Sequence, residues 1–226
     1  MTLQTIYCLS GLGADEKIFR NLRLDGYELK HIAWLRPKKK ETIQAYAARM
    51  AEAIPEDNPI VIGVSFGGMM AIEIARQRPL RKLILISSIK SKDELPRWMR
   101  MTGRLRLNRF LPVSSNRLTE RFDNDRLGVS NEEEKQMVQD YRRSADKVYQ
   151  EWAINEIVNW KNEWIPDCLV HIHGEFDKMF PLKRITADHV IKGATHFMVY
   201  NSAAAVSECI NKVLAEEKSG KNQPAP

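Results

Sequence analysis

Short apolar runs rich in β-branched residues alternate with longer stretches of helical spacing along most of this chain. Strand-like runs fall at 4–9, 27–34, 59–64, 82–87, 168–173 and 188–192. Helical patterns lie between and after them, at 15–22, 42–54, 66–78 and 201–216. In 42–54, Ile43, Ala47, Met50 and Ile54 recur on one helical face. The stretch 66–78 ends in Arg76-Gln77-Arg78-Pro79, where cations suit the helix C-terminus and the proline stops it. Strands alternating with helices predict an α/β fold, with a mostly parallel sheet of about six strands and helices on both faces.

Residues 90–165 break the alternation. No strand pattern appears between Ile89 and Pro166, and helical patterns fall at 92–101, 103–110, 131–143 and 145–160. The expected organisation is a core of 1–89 and 166–217, a helical cap over 90–165, and a polar, proline-bearing tail at 218–226 that frays. A cap would exclude water and line a pocket. Trp98, Phe110, Trp152, Ile157 and Trp160 are its candidate lining residues.

Composition narrows the picture. The 226 residues carry an ordinary apolar share, enough for a globular core. No stretch reaches the ~18 uninterrupted apolar residues of a membrane span. The N-terminus lacks the basic and long apolar regions of a signal peptide. Three cysteines, Cys8, Cys168 and Cys209, fit buried free thiols in a reducing cytoplasm. His171-x-His173 offers two metal ligands without a complementary cluster, so neither metal nor other cofactor is expected. The net charge of +6 is interspersed, with no nucleic-acid motif. Lys38-Lys39-Lys40 reads as a solvated turn. Arg97, Arg100, Arg104, Arg106 and Arg109 crowd the start of the cap. They read first as a solvated face, and otherwise as a docking surface for an acidic partner or anionic substrate.

The chemistry begins at Gly63-Val64-Ser65-Phe66-Gly67. The run 59–64 precedes it and a helical pattern follows. A strand, a G-x-S-x-G turn and a helix make a nucleophile elbow, a strained turn that lifts the serine hydroxyl above the sheet edge. Strand and helix then nearly touch, which calls for small residues at Gly63, Gly67 and Gly68. The run at 168–173 breaks at Gly174 and delivers Asp177 in the next loop, with Glu175 as the lesser alternative acid. The last strand pattern leads through Gly193 to His196, the only one of five histidines in a loop just after the final strand. In open parallel sheets, that edge gathers active-site groups. The order Ser65, Asp177, His196 suits nucleophile, acid and base. After the first strand, Ser10-Gly11-Leu12-Gly13 can aim the Leu12 N–H at a substrate oxygen, with the N–H of Phe66 as second donor. Alone, that loop reads equally as a turn into a helix, with Asp15 as N-cap.

These segments, together with His173-Gly174-Glu175-Phe176-Asp177 and Gly193-Ala194-Thr195-His196-Phe197, resemble the α/β-hydrolase superfamily, and most of all its small bacterial serine hydrolases. The resemblance spans nearly the whole chain except about 90–165. It implies the α/β-hydrolase fold and a serine hydrolase or esterase. Many relatives carry a histidine where this chain has Ser10, and many have two further strands before the first one here, so a trimmed sheet is expected. Ser65 argues against relatives that use an aspartate nucleophile.

The expected activity is cleavage of a carboxylic ester or thioester, a small-molecule acyl substrate, through an acyl-enzyme on Ser65. One rival is an esterase or thioesterase for substrates carried on an acidic acyl carrier protein, supported only by the basic cap. Another is a ligand receptor that does not hydrolyse, against which the complete Ser65, Asp177 and His196 set argues. The same set also serves acyltransferases, lyases and perhydrolases.

Overall fold

A computed structural model describes residues 3–106 and 117–218. Six strands form one parallel sheet: β1 (Gln4–Leu9), β2 (Tyr27–His31), β3 (Ile60–Val64), β4 (Lys82–Ile86), β5 (Leu169–Gly174) and β6 (His189–Ile191). Their order across the sheet is β2-β1-β3-β4-β5-β6. The central strands β3 and β4 read Ile-Val-Ile-Gly-Val and Lys-Leu-Ile-Leu-Ile and are buried along their whole length. Near-continuous apolar sequence is what burial of both faces requires.

Successive side chains divide between two cores, as the two-residue period of a strand dictates. Tyr7, Leu9, Val61, Leu83 and Leu85 face α1 (Ile43–Ala51) and α2 (Phe66–Ala75), meeting Tyr46, Met50, Met69 and Ile72. Ile6, Cys8, Ile62, Ile84, Ile86 and Ile172 face the opposite way. Each large aliphatic side chain so buried contributes about 1.5–3 kcal/mol.

Among the described residues, four helices lie between β4 and β5: α3 (Arg97–Arg104), α4 (Arg117–Leu127), α5 (Glu132–Ser144) and α6 (Lys147–Asn159). Two more follow β6, α7 (Met198–Asn201) and α8 (Ala203–Lys218), and α8 covers the second core with Val206, Ile210 and Val213. Of the helices between β4 and β5, α4 and α6 reach loops at the end of the sheet where the strands finish. Phe197 N–H donates to Leu127 O at 2.9 Å, Lys178 pairs with Asp125 at 2.6 Å, and Trp152 Nε1–H donates to Glu41 O at 2.8 Å.

Several expected boundaries shift. The helix expected at 15–22 is a four-residue 3-10 turn, Glu16–Phe19, capped by Asp15. β2 ends at His31 rather than residue 34, because β1 ends beside it and leaves the chain no strand to pair with. The helix expected at 92–101 starts only after Pro96, since a proline disfavours helical backbone in the residue before it. The one expected at 103–110 fails at Arg106, whose φ is 55°; 107–110 lie outside the described residues. α4 has no strong apolar stripe and went unexpected. The C-terminal helix begins early, at Met198, and restarts at Ala203. The tail from 219 lies outside the described residues. Cys8 is buried, while Cys168 and Cys209 are only half-buried. Burial pushes the Cys8 thiol up.

Two histidines of β5 are fully buried, their rings edge-to-face at 5.2 Å. Burial, then the neighbouring His173 and Lys90, pulls His171 down from 6.5 to about 3. Burial also lowers His173, against the opposing pull of Asp177. The unfolded chain therefore takes up protons below about pH 6.5 that the folded chain refuses, and stability is lost as pH falls through that window. Glu94 and Glu156 act the other way, since burial raises both. A variant isolates the histidine contribution. Between pH 7 and pH 5, wild type should lose about 2 kcal/mol more stability than His171→Gln, at roughly 1.4 kcal/mol per pH unit. Urea denaturation at the two pH values measures this. Equal pH dependence in both proteins would contradict it.

Candidate active site

Ser65 joins β3 to α2 with φ 52° and ψ −119°, a backbone region that costs a non-glycine residue on the order of 1–3 kcal/mol. The surroundings hold it there. Ser65 N–H donates to Ile86 O at 3.0 Å, and Ser65 O accepts from Gly68 N–H at 3.0 Å and Ser88 Oγ at 2.7 Å. The turn is closely packed. A Cβ on Gly63 would lie 2.6 Å from Gly67 O and from Gly68 Cα. One on Gly67 would overlap the carbonyls of Leu9 and Ser10, and one on Gly68 would overlap Ser88.

Asp177 stands in the loop after β5. Gly174 lets that loop pass against the backbone of Ala194 and Thr195, just before His196. Asp177 Oδ1 accepts the N–H groups of Met179 and Phe180, both at 2.8 Å. Its Oδ2 lies 2.8 Å from His196 Nδ1 and 3.5 Å from His173 Nε2. His196 Nε2 lies 3.0 Å from Ser65 Oγ. A carboxylate only accepts, so Nδ1 of His196 donates and Nε2 is left as acceptor for the Ser65 hydroxyl. Asp177 and His196 are buried and Ser65 is half-buried. Glu175 points elsewhere: it is exposed and accepts from Gly193 N–H at 2.9 Å.

The glycine loop after β1 runs alongside the elbow. The Cβ position of Gly11 is 3.6 Å from Ser65 Cβ. Leu12 follows it and is 37% exposed; Phe66 is the first residue of α2, its side chain buried.

The candidate wall residues divide. Trp152 joins an aromatic group with Trp34, Tyr46, Phe66 and Tyr149 beside the elbow, and Ile157 packs against the same core. Trp160 belongs beneath α2, buried, its indole N–H donating to Glu73 at 2.7 Å; it is a core residue, not a wall. Trp98 is 48% exposed, with the Arg126 guanidinium 4.5 Å from its ring centre. Phe110 lies outside the described residues. Sequence reasoning passed over Trp34 and Tyr149. Trp34 follows a strand of the sheet on its functional edge, which is the signal that could have singled it out.

The basic stretch after β4 is partly met from within. Arg100 lies 3.6 Å from Asp93, Lys92 pairs with Glu163, and Lys90 donates to Thr186 O at 2.6 Å. Arg109 lies outside the described residues. Among the described residues no cluster of three or more His, Cys, Asp or Glu could hold a metal ion. No described helix is long and apolar enough to cross a membrane.

The sequence model of the alpha/beta hydrolase family matches residues 7–208, and the chain belongs to that family. Solved structures of related fold agree. A thermophilic esterase from Thermogutta terrifontis is 17% identical, with a TM-score of 0.76 over 96% of this chain and 91% of that one. A lipase-esterase related protein from Clostridium acetobutylicum is also 17% identical, with a TM-score of 0.64 over 92% and 93%. An N-acyl homoserine lactonase, in complex with N-hexanoyl homoserine, is 14% identical, with a TM-score of 0.67 over 95% and 89%. No curated protein matches the chain.

Proposed function

We propose that this protein is a serine hydrolase that cleaves a carboxylic ester or thioester through an acyl-enzyme on Ser65. The observation that carries the proposal is the unbroken series Ser65 Oγ, His196 and Asp177, at 3.0 and 2.8 Å, on a strained elbow. His196 Nε2 takes the Ser65 proton as Oγ bonds to the acyl carbon. Asp177 holds the imidazole in the accepting tautomer and stabilises the imidazolium. The N–H groups of Phe66 and Leu12 receive the oxyanion. His196 then gives its proton to the leaving alcohol or thiol. Water, deprotonated by His196, breaks the acyl bond to Ser65 and releases the acid.

Residues 90–165 serve as the cap that limits water, with Trp152 and Ile157 on its inner side. A lactone is a cyclic ester and enters the same chemistry, so the substrate range includes it. A panel of p-nitrophenyl esters, acyl thioesters and lactones of graded chain length tests the proposal. Wild type should hydrolyse at least one class, with a preferred chain length set by the pocket, and Ser65→Ala should lower kcat by 10⁴-fold or more, on the order of the whole triad's contribution. Hydrolysis that survives in Ser65→Ala would exclude this mechanism.

A further inference from the structure

We infer that Trp34 is a positioning residue that sets the two halves of the oxyanion site against each other; the inference rests on the reaction proposed above. The two N–H donors of that site come from distant parts of the chain. Phe66 opens α2, and Leu12 sits in the loop after β1. Pairing of β1 with β3 and the packing of Gly67 on the carbonyls of Leu9 and Ser10 bring the two segments together, and oxyanion stabilisation further depends on donors held in place before the charge forms.

One side chain touches both halves. The indole ring of Trp34 stacks on Phe66, with centroids 5.3 Å apart and planes inclined at 21°. The indole N–H donates to Ser10 Oγ at 3.0 Å. Ser10 is fully buried at the base of the Leu12 loop. Its hydroxyl donates to Ala14 O at 2.6 Å, and Ala14 N–H donates to Gly11 O at 3.1 Å, so the loop is closed on itself around Leu12. A hydroxyl has one hydrogen, and here it goes to Ala14. The contact of His31 Nε2 at 3.1 Å must then be a donation, which fills the second lone pair of Ser10 and places the imidazole proton on Nε2. Every hydrogen-bonding position of the Ser10 hydroxyl is thus used, two of them by residues from the end of β2 and the loop beyond it.

Trp34 is itself held. Tyr149 lies 5.3 Å away ring to ring. The Tyr46 hydroxyl donates to Leu35 O at 2.6 Å and accepts from Leu35 N–H at 2.8 Å, pinning the backbone next to the indole. Beneath the loop, the carbonyls of Leu9 and Ser10 rest on Gly67. The bracket is therefore held by contacts on the side of Phe66 and on the side of Leu12.

Two variants break it without emptying the core. Trp34→Phe keeps an aromatic ring on Phe66 but loses the N–H; Ser10→Ala loses its acceptor. On an ester that wild type hydrolyses, each should lower kcat about tenfold, less than the ~10²–10³ of deleting a donor outright. KM should stay within about twofold. The double variant should lose no more than the larger single loss, because both changes cut the same bond. A trifluoromethyl ketone supplies the second readout. Ser65 Oγ adds to its carbonyl carbon, the proton passes to His196, and the carbonyl oxygen becomes an oxyanion. Its affinity should fall with kcat, while inhibition by the carboxylic acid product stays unchanged. Melting temperatures show that the variants fold; if Ser10→Ala does not, Trp34→Phe decides alone. Unchanged kcat in active, folded variants would make Trp34 merely core. A raised KM at constant kcat would make it an acyl contact. Either result overturns the inference and leaves the proposed reaction standing. A wild type without hydrolysis would remove both.

Discussion

Replacing Asp177 with asparagine is expected to lower kcat about 10⁴-fold in a protein that still folds. The reason lies in which oxygen does what. Oδ1 accepts two backbone N–H groups, from Met179 and Phe180. An asparagine must keep its carbonyl oxygen there, so its NH₂ group takes the place of Oδ2, facing His196 Nδ1 at 2.8 Å. That NH₂ only donates. His196 must then accept at Nδ1 and carry its proton on Nε2, pointing at Ser65 Oγ. In that tautomer it cannot take the serine proton, and the charge that would stabilise the imidazolium is gone. Glu175→Gln keeps its acceptor for Gly193 N–H, and its kcat should stay within about twofold of wild type. Steady-state kinetics and melting curves on the two variants measure this. A near-silent Asp177→Asn beside a crippled Glu175→Gln would move the acid to Glu175.

Gly67→Ala is expected to cost about 3 kcal/mol or more of stability, a large share of the roughly 5–15 kcal/mol that holds a domain folded. The added methyl would overlap the carbonyl oxygens of Leu9 and Ser10 and lie 2.6 Å from the carbonyl carbon of Leu9. These are backbone atoms at the end of β1, in the middle of the sheet, and they cannot rotate aside as a flexible side chain can. Relief requires β1 and the Leu12 loop to move away from the elbow. For a chain of this size the melting temperature should drop by roughly 6–12 °C, and residual activity should fall as well. Gly26→Ala is the control. Gly26 has φ 81° and nothing within 4 Å of its Cβ position, so only backbone strain is added, about 1 kcal/mol. Calorimetry on the two variants separates steric overlap from strain. Equal small losses would show that the elbow has slack.

Much of this architecture was readable from local pattern. All six strands were expected within a few residues of where they lie; the fully buried β3 and β4 write themselves as nearly unbroken apolar runs bounded by turn residues. The glycines of the elbow declared its close packing. The chain order of Ser65, Asp177 and His196 singled out the three groups that the fold brings within hydrogen-bonding distance. What escaped depends on contacts between distant segments. Trp34 and Ser10 meet only because β2 lies beside β1 at the sheet edge, and no periodicity states strand order. Trp160 looked like a pocket aromatic because nothing local reveals that its N–H is committed to Glu73 on another helix. α4 was missed because Arg117–Leu127 has no clear apolar stripe, and a helix fixed by its neighbours need not have one.

The central claim is that Ser65 is the nucleophile, and a fluorophosphonate probe tests it most directly. Phosphonylation forms a bond from the serine Oγ to phosphorus and expels fluoride, so intact mass and peptide mapping identify the residue. Wild type should gain a single adduct on the peptide containing Ser65, labelling should slow sharply in His196→Ala, and Ser65→Ala should gain none. An adduct that persists in Ser65→Ala, or a folded wild type that takes none, would contradict the account.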